Sequence, residues 1–186
     1  MMLIHLKMTV HLLVGKWKVE KLKGKESIIP LEPKEIVKDP YNQYIHLIFY
    51  LDNGEMLGFS DLRKFAKAIL GTKEQIENLP EIKNLGPEPL DSSFKFIKFV
   101  KSIKSEKRKV KQVLMDPEVI AGIGNIYSDD ILWTAKIHPF GPADKLSEKE
   151  LKEIWKAIHQ ILSKALKLRG TSYSDYRDTA GKEGYY

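Results

Sequence analysis

The residues most suited to chemistry lie at positions 119–130, where Gly122-Ile123-Gly124 forms a small-residue turn that leads into Asn125-Ile126-Tyr127 and then Asp129-Asp130. The apolar segment after Asn125 can continue as helix through Trp133. A loop feeding a helix in this way leaves backbone N–H groups unpaired at the positive end of the helix dipole. A phosphate can sit there, with Asn125 as side-chain donor or cap. A capped helix in a packed turn needs the same residues, so the motif alone leaves both readings open. Asp129 and Asp130 read as carboxylates that the dipole stabilises rather than as an acid and base pair.

The charge pattern favours the phosphate. The chain carries +6 over 186 residues, and eight basic residues, Lys95, Lys98, Lys101, Lys104, Lys107, Arg108, Lys109 and Lys111, face the single acid Glu106 between positions 95 and 111. The first five lysines recur every third residue, which keeps them near one side of a helix, while Phe96, Phe99, Val100 and Ile103 occupy the other. A solvated charged face is the ordinary outcome of such a run, but beside a phosphate-binding turn a polyanion partner is the better reading. The absence of cysteine excludes disulfides, thiolate metal sites and cysteine nucleophiles, and makes a reducing cytoplasm the default. No apolar run is long enough for a bilayer.

The elements that must position these residues fall into a β half and a helical half. Residues 1–14 read as a strand ended by Gly15, residues 16–40 as an extended, exposed connection, and 44–51 with 56–60 as a hairpin turned by Asp52-Asn53-Gly54-Glu55. A charged and aromatic cluster, Asp61-Leu62-Arg63-Lys64-Phe65, follows at a strand end, where binding residues tend to sit, and residues 66–70 form a further apolar piece. Two prolines and a glycine at 85–90 mark a domain boundary. Asp91 or Ser92 can cap the helix that carries the basic run; a second helix spans 107–115, and Asp116-Pro117 is another start signal. Ser147 and Glu150 make a capping box for a helix whose apolar face is Leu151, Ile154, Trp155, Ile158, Leu162, Ala165 and Leu166. Trp155 and Trp133 both read as core, and the tail from 171 to 186 as a loop.

Several of these stretches together resemble the formamidopyrimidine-DNA glycosylase family and its endonuclease VIII relatives. The matches are Leu3-Ile4-His5-Leu6-Lys7-Met8-Thr9, Leu51-Asp52-Asn53-Gly54 with Asp61 to Phe65, and Leu85-Gly86-Pro87-Glu88-Pro89-Leu90. They continue through Lys111, Leu114-Met115-Asp116, residues 119–127, Ile137-His138-Pro139 and Gly181-Lys182-Glu183-Gly184-Tyr185-Tyr186. The resemblance implies an α+β protein: a partial N-terminal β-sandwich over 1–84, a linker at 85–90 and an all-α helix-two-turn-helix domain over 91–186, with DNA held in the cleft between them. It implies that Asn125 binds a phosphate flanking the lesion and that His5 contacts the backbone. Met8, Arg63 and Phe65 would fill the gap left by the everted nucleotide, as an apolar wedge and a cation can. Lys111 would lie near the damaged site, and His46 stands close to Tyr44, where the family has a histidine. Lys107, Gly124 and Tyr127 complete the expected DNA contacts.

Departures from the family pattern limit the activity that the resemblance implies. The family's N-terminal proline nucleophile, the glutamate beside it, the elimination lysine and the four-cysteine zinc finger have no counterpart in this sequence, which starts with Met1-Met2 at a later strand. No catalytic residue and no metal or other cofactor are therefore assigned. The expected function is binding of damaged DNA in base-excision repair, as in the bifunctional glycosylases and abasic-site lyases that remove oxidised purines through a Schiff base, but without full catalysis by this chain. The alternatives are half of a split glycosylase, completed by a complementary chain, and a non-catalytic remnant; an RNA-binding helix-two-turn-helix protein ranks third. The expected partner is double-stranded DNA with a damaged base or abasic site, at the nucleoid in the cytoplasm, with no membrane. Missing strands predict an exposed sheet edge and a marginally stable first half.

Overall fold

Alternation of apolar and charged residues carries sheet further along the chain than Gly15 suggests. The structure, a computed structural model, describes residues 1–7, 9–22, 25–170 and 178–186. In place of one strand over 1–14 there are two, β1 (Met2–His5) and β2 (Val10–Leu22), with Lys7 between them at φ 53°. The stretch expected to be an exposed connection holds the second half of β2 and its antiparallel partner β3 (Lys25–Glu32). Trp17 is the reason: it is 2 % exposed and forms a core with Leu13, Ile36 and Ile45. The strand runs through Gly15, where the close approach of β3 requires glycine, because a Cβ there would lie 2.6 Å from the Glu32 carbonyl oxygen.

A short helix α1 (Lys34–Val37) and a 3-10 turn (Pro40–Tyr44) lead into the expected hairpin, β4 (Ile45–Tyr50) and β5 (Met56–Asp61), turned at Gly54 with φ 80°. Strand β6 (Lys67–Leu70) pairs with β1. The result is a four-stranded antiparallel sheet in the order β3-β2-β5-β4 and a two-stranded sheet β1-β6, a partial sandwich of the expected α+β class. Two short helices follow, α2 (Lys73–Glu77) and α3 (Pro80–Lys83).

The helical part contains α4 (Phe96–Lys104), α5 (Val110–Leu114), α6 (Asn125–Ala135), a 3-10 turn (Ala143–Lys145) and α7 (Glu148–Lys167). Helix α5 is shorter than the expected 107–115, and Asp116-Pro117 opens turns rather than a helix. The capping box is present: the Ser147 N–H donates to Glu150 at 2.6 Å and the Glu150 N–H to the Ser147 hydroxyl at 3.3 Å. Trp155 packs against Phe94, Phe96 and Phe99 as expected. Trp133 does not: it is 86 % exposed. Helix α6 scatters its polar residues, Asn125, Ser128, Asp129, Asp130 and Thr134, among the apolar ones without forming a single apolar stripe, so periodicity could not choose its inner face; Ser128, Ile131 and Leu132 are buried, while Ile126 and Trp133 are exposed. On α7, Ile161 is buried and Leu166 is 70 % exposed, the reverse of the expected assignment for Leu166.

The chain divides into two compact units, Met1–Ile76 with Leu168–Tyr186, and Glu77–Lys167. The boundary thus falls ahead of 85–90, and the last residues group with the sheets, where the Val14 N–H donates to the Thr179 carbonyl at 2.7 Å. Residues 85–90 lie inside the helical unit for a physical reason: the Gly86 N–H donates to the Pro117 carbonyl at 2.8 Å, and the Ala121 N–H to that of Pro87 at 3.1 Å. Among the described residues no helix is long and apolar enough to cross a membrane.

Candidate nucleic-acid interface

The turn between α5 and α6 is built from both ends. At its start the Asp116 carboxylate accepts the Glu118 N–H at 3.0 Å and an Arg108 guanidinium N–H at 2.7 Å. Arg108, which also holds Glu106 at 2.7 Å, and then the Glu118 N–H keep the Asp116 carboxyl below the usual carboxylate range, and the two carboxylates raise the Arg108 guanidinium. At its end Gly122 adopts φ +77°, and Gly124 is the N-cap residue of α6, with extended backbone and no side-chain cap bond. Asn125 is therefore the first helical residue and not the cap. Its side chain is exposed at the helix start, and no atom would lie within 4 Å of a Cβ on Gly124. This leaves room for an anion to approach the backbone.

Around this helix start the basic residues differ in what they touch. Lys111, on α5, is half-buried and holds Asp129, on α6, at 2.7 Å. Asp129 is thus an ion-pair partner and not only a carboxylate near the dipole. Lys107 lies outside the helices and is exposed; Lys95, the N-cap residue of α4, and Lys98 and Lys101, on α4, are exposed as well. Lys104 donates to the Asp144 carbonyl at 2.9 Å, and the Lys109 ammonium lies 4.9 Å from the Phe140 ring centroid. Tyr127 is half-buried in the first turn of α6.

The β unit contributes a second feature, the loop after β5. Asp61 is 2 % exposed and accepts the Thr9 hydroxyl at 2.7 Å, the Arg63 N–H at 3.2 Å and the Ala66 N–H at 2.9 Å. Burial by itself pushes its carboxyl up; the bonds from Ala66, Thr9, Arg63 and Phe65 outweigh burial and hold it below the usual range. The loop so tied carries Lys64 at φ 57° and leaves Phe65 61 % exposed, with the Arg63 guanidinium 5.5 Å from the ring centroid. His46, exposed on β4, donates from Nε2 to the Asp61 carbonyl at 2.9 Å. His5 is exposed at the end of β1 and accepts the Lys7 N–H on Nδ1 at 3.2 Å. Met8 lies outside the described residues.

A family model for the formamidopyrimidine-DNA glycosylase H2TH domain matches residues 85–177, half of the chain. The chain belongs to the formamidopyrimidine-DNA glycosylase family. Curated relatives include the formamidopyrimidine-DNA glycosylases of Desulforamulus reducens, 40 % identical over 147 residues, and Moorella thermoacetica, 39 % identical over 145. These matches cover 79 % and 78 % of this chain but 53 % of each relative, so the chain spans about half the length of the curated relatives it matches. Among solved structures, the MutM (Fpg) protein of Thermus thermophilus superposes with a TM-score of 0.76 at 30 % identity, over 98 % of this chain and 60 % of that one. The Lactococcus lactis Fpg bound to DNA containing an abasic site does so with a TM-score of 0.76 at 27 % identity, over 98 % and 59 %.

Within this family frame the site residues named from sequence fall into two groups, each held within one unit. Lys107, Lys111, Gly124, Asn125 and Tyr127 lie at or beside the helix-two-turn-helix, whereas His5, His46, Arg63 and Phe65 belong to the β unit. Reading by motif overlooked the residues that hold these in place: Asp61 under the loop, Arg108 with Asp116 under the turn, and Gly86 behind it. A Cβ on Gly86 would lie 2.7 Å from the Glu118 carbonyl oxygen and the Val119 carbonyl carbon. A local signal existed for Asp61, an aspartate at a strand end followed by a short loop. Arg108 and Gly86 act on residues their sequence positions do not point to.

Proposed function

We propose that this chain binds double-stranded DNA at a damaged base or abasic site, as a base-excision repair protein, without carrying out base removal and strand cleavage on its own. The observation that carries this reading is the loop after β5, which presents an exposed Phe65 with Arg63 against its ring on a buried carboxylate anchor. An aromatic ring exposed at such cost gains most from an unstacked step, where it replaces the lost base stacking while the cation offsets phosphate charge. The start of α6 would take a backbone phosphate on its N–H groups and the Asn125 amide, and Lys107 with the α4 lysines would supply contacts that ignore sequence. The membership of the family and the L. lactis neighbour in complex with abasic-site DNA support the same partner.

Schiff-base chemistry requires an amine free to attack the sugar carbon. Lys7 and Lys111 are the candidates in this chain; Lys111 is engaged by Asp129, and Lys7 sits in the exposed turn between β1 and β2. A second reading, a complementary protein chain that completes the enzyme, is favoured by the exposed apolar residues of the β1-β6 pair, Met2 at 38 % and Leu70 at 83 %. The test is a gel shift with borohydride trapping on duplexes carrying an abasic site, an oxidised guanine or no lesion, in buffer with a chelator. Lesion-dependent shift without a covalent band is expected. Equal affinity for all duplexes would overturn lesion recognition, and a trapped band would show that an amine of this chain does perform the chemistry.

A further inference from the structure

We propose that Asp61 is the positioning residue of the gap-filling loop: its buried carboxylate joins Thr9 to the backbone of residues 63–66 and so holds Arg63 and Phe65 in the shape that enters an unstacked step. The proposal rests on the reading of Arg63 and Phe65 given above. Three observations carry it. The carboxylate is nearly sealed from water and is filled with donors, the Thr9 hydroxyl and the N–H groups of Arg63 and Ala66. Lys64, between the two working residues, sits in the left-handed region at φ 57°, a conformation that a non-glycine residue keeps only where its surroundings impose it. The ring of Phe65 has no core to hold it, since it is 61 % exposed, and the guanidinium at 5.5 Å is its neighbour.

An exposed aromatic on an untethered loop would lie flat on the surface and lose conformational entropy only on binding; a tethered one enters the gap already ordered. Thr9 gives the carboxylate a second reach, because it follows Met8 in the sequence and is separated from the loop by the four strands β2 to β5 in chain order. His46 fixes the backbone of the same residue through the Asp61 carbonyl. The whole end of the sheet therefore shares one anchor.

Asp61→Asn is the sharpest change, because it puts an amide N–H₂ in place of one of the two carboxylate oxygens that now accept the Ala66, Arg63 and Thr9 donors. The full chain and its variants Asp61→Asn, Thr9→Val, Phe65→Ala and Asp61→Asn/Phe65→Ala are compared for binding to an intact duplex and to one holding a stable abasic-site analogue with 2-aminopurine opposite it. Thermal melts establish folding, and Thr9→Val, a milder loss of one bond, stands in should Asp61→Asn not fold. Amide exchange of Ala66 reports the anchor without DNA. The expected result is about a tenfold loss of preference for the gapped duplex in Asp61→Asn, matched by a smaller 2-aminopurine response, faster Ala66 exchange and unchanged affinity for the intact duplex. In the Phe65→Ala background the same change should add nothing, since coupled residues are not additive. Faster Ala66 exchange with undiminished gap preference would overturn the proposal while leaving the gap-filling reading intact. Loss of preference in Asp61→Asn that persists on top of Phe65→Ala would overturn it too. A wild-type chain with no gap preference at all would overturn the reading on which it rests.

Discussion

Asn125 and Lys111 show how one residue position can differ in meaning from its motif. Asn125 stands one place inside the helix that Gly124 caps, so its amide is exposed at the positive end of α6 and is not consumed by capping. Lys111 has its ammonium on Asp129 and must release it, or share it, to meet a phosphate. Half-exposed pairs of this kind contribute little to stability, so exchange of partners costs little. Replacing Asn125 with Ala is expected to weaken binding to intact and gapped duplexes alike by about tenfold, the worth of one hydrogen bond to a charged group, with an unchanged melting temperature. Fluorescence anisotropy on both duplexes checks this. A loss confined to the gapped duplex would place Asn125 at the lesion instead of on the backbone.

Among the elements, the turn between α5 and α6 is the one most dependent on residues far along the chain. The segment around Gly86 and Pro87 lies against it through two backbone hydrogen bonds, and Gly86 has no space for a side chain. The backbone carbonyls it would strike cannot move without distorting the turn. Gly86→Ala is expected to destabilise the helical unit by roughly 1–3 kcal/mol, as overpacking does, and to weaken DNA binding through the displaced helix start. Denaturant unfolding of the variant measures the first effect and a gel shift the second. A variant as stable as the wild type would mean that residues 85–90 only lean on the turn. The prolines and glycine that suggested a linker are the same residues that permit this close approach.

At the scale of the molecule, two compact units differ in how well each is covered. The helical unit buries Phe99, Ile103, Val113, Leu114, Ile131, Leu151, Ile154 and Ile158 almost completely. The β unit has one closed core around Leu13 and Trp17, while its second sheet is a single pair of strands with Leu70 and Met2 exposed. Two-stranded sheets are marginal in water. The β unit is expected to melt first, with amides of β1 and β6 exchanging fastest among the hydrogen-bonded amides of the described strands and helices. Calorimetry and hydrogen exchange decide this; one sharp transition with β1 and β6 protected like α7 would count against it.

What the sequence determined by itself was local: the hairpin around Asn53-Gly54, the capping box at Ser147, the glycine turn into a helix, and the residue types that mark the family. Each of these is decided by neighbours within a few positions, through backbone dihedrals, caps and short spacing. Tertiary structure decided what depends on distant partners. It placed residues 16–22 and 25–32 in the sheet because Trp17 needs a core, and it turned Trp133 outward because a helix with no single apolar stripe takes its inner face from whatever packs against it. It also tied Asp61 to Thr9, across 52 positions of chain. A buried carboxylate must find its donors wherever the fold brings them, and no spacing rule states where that is.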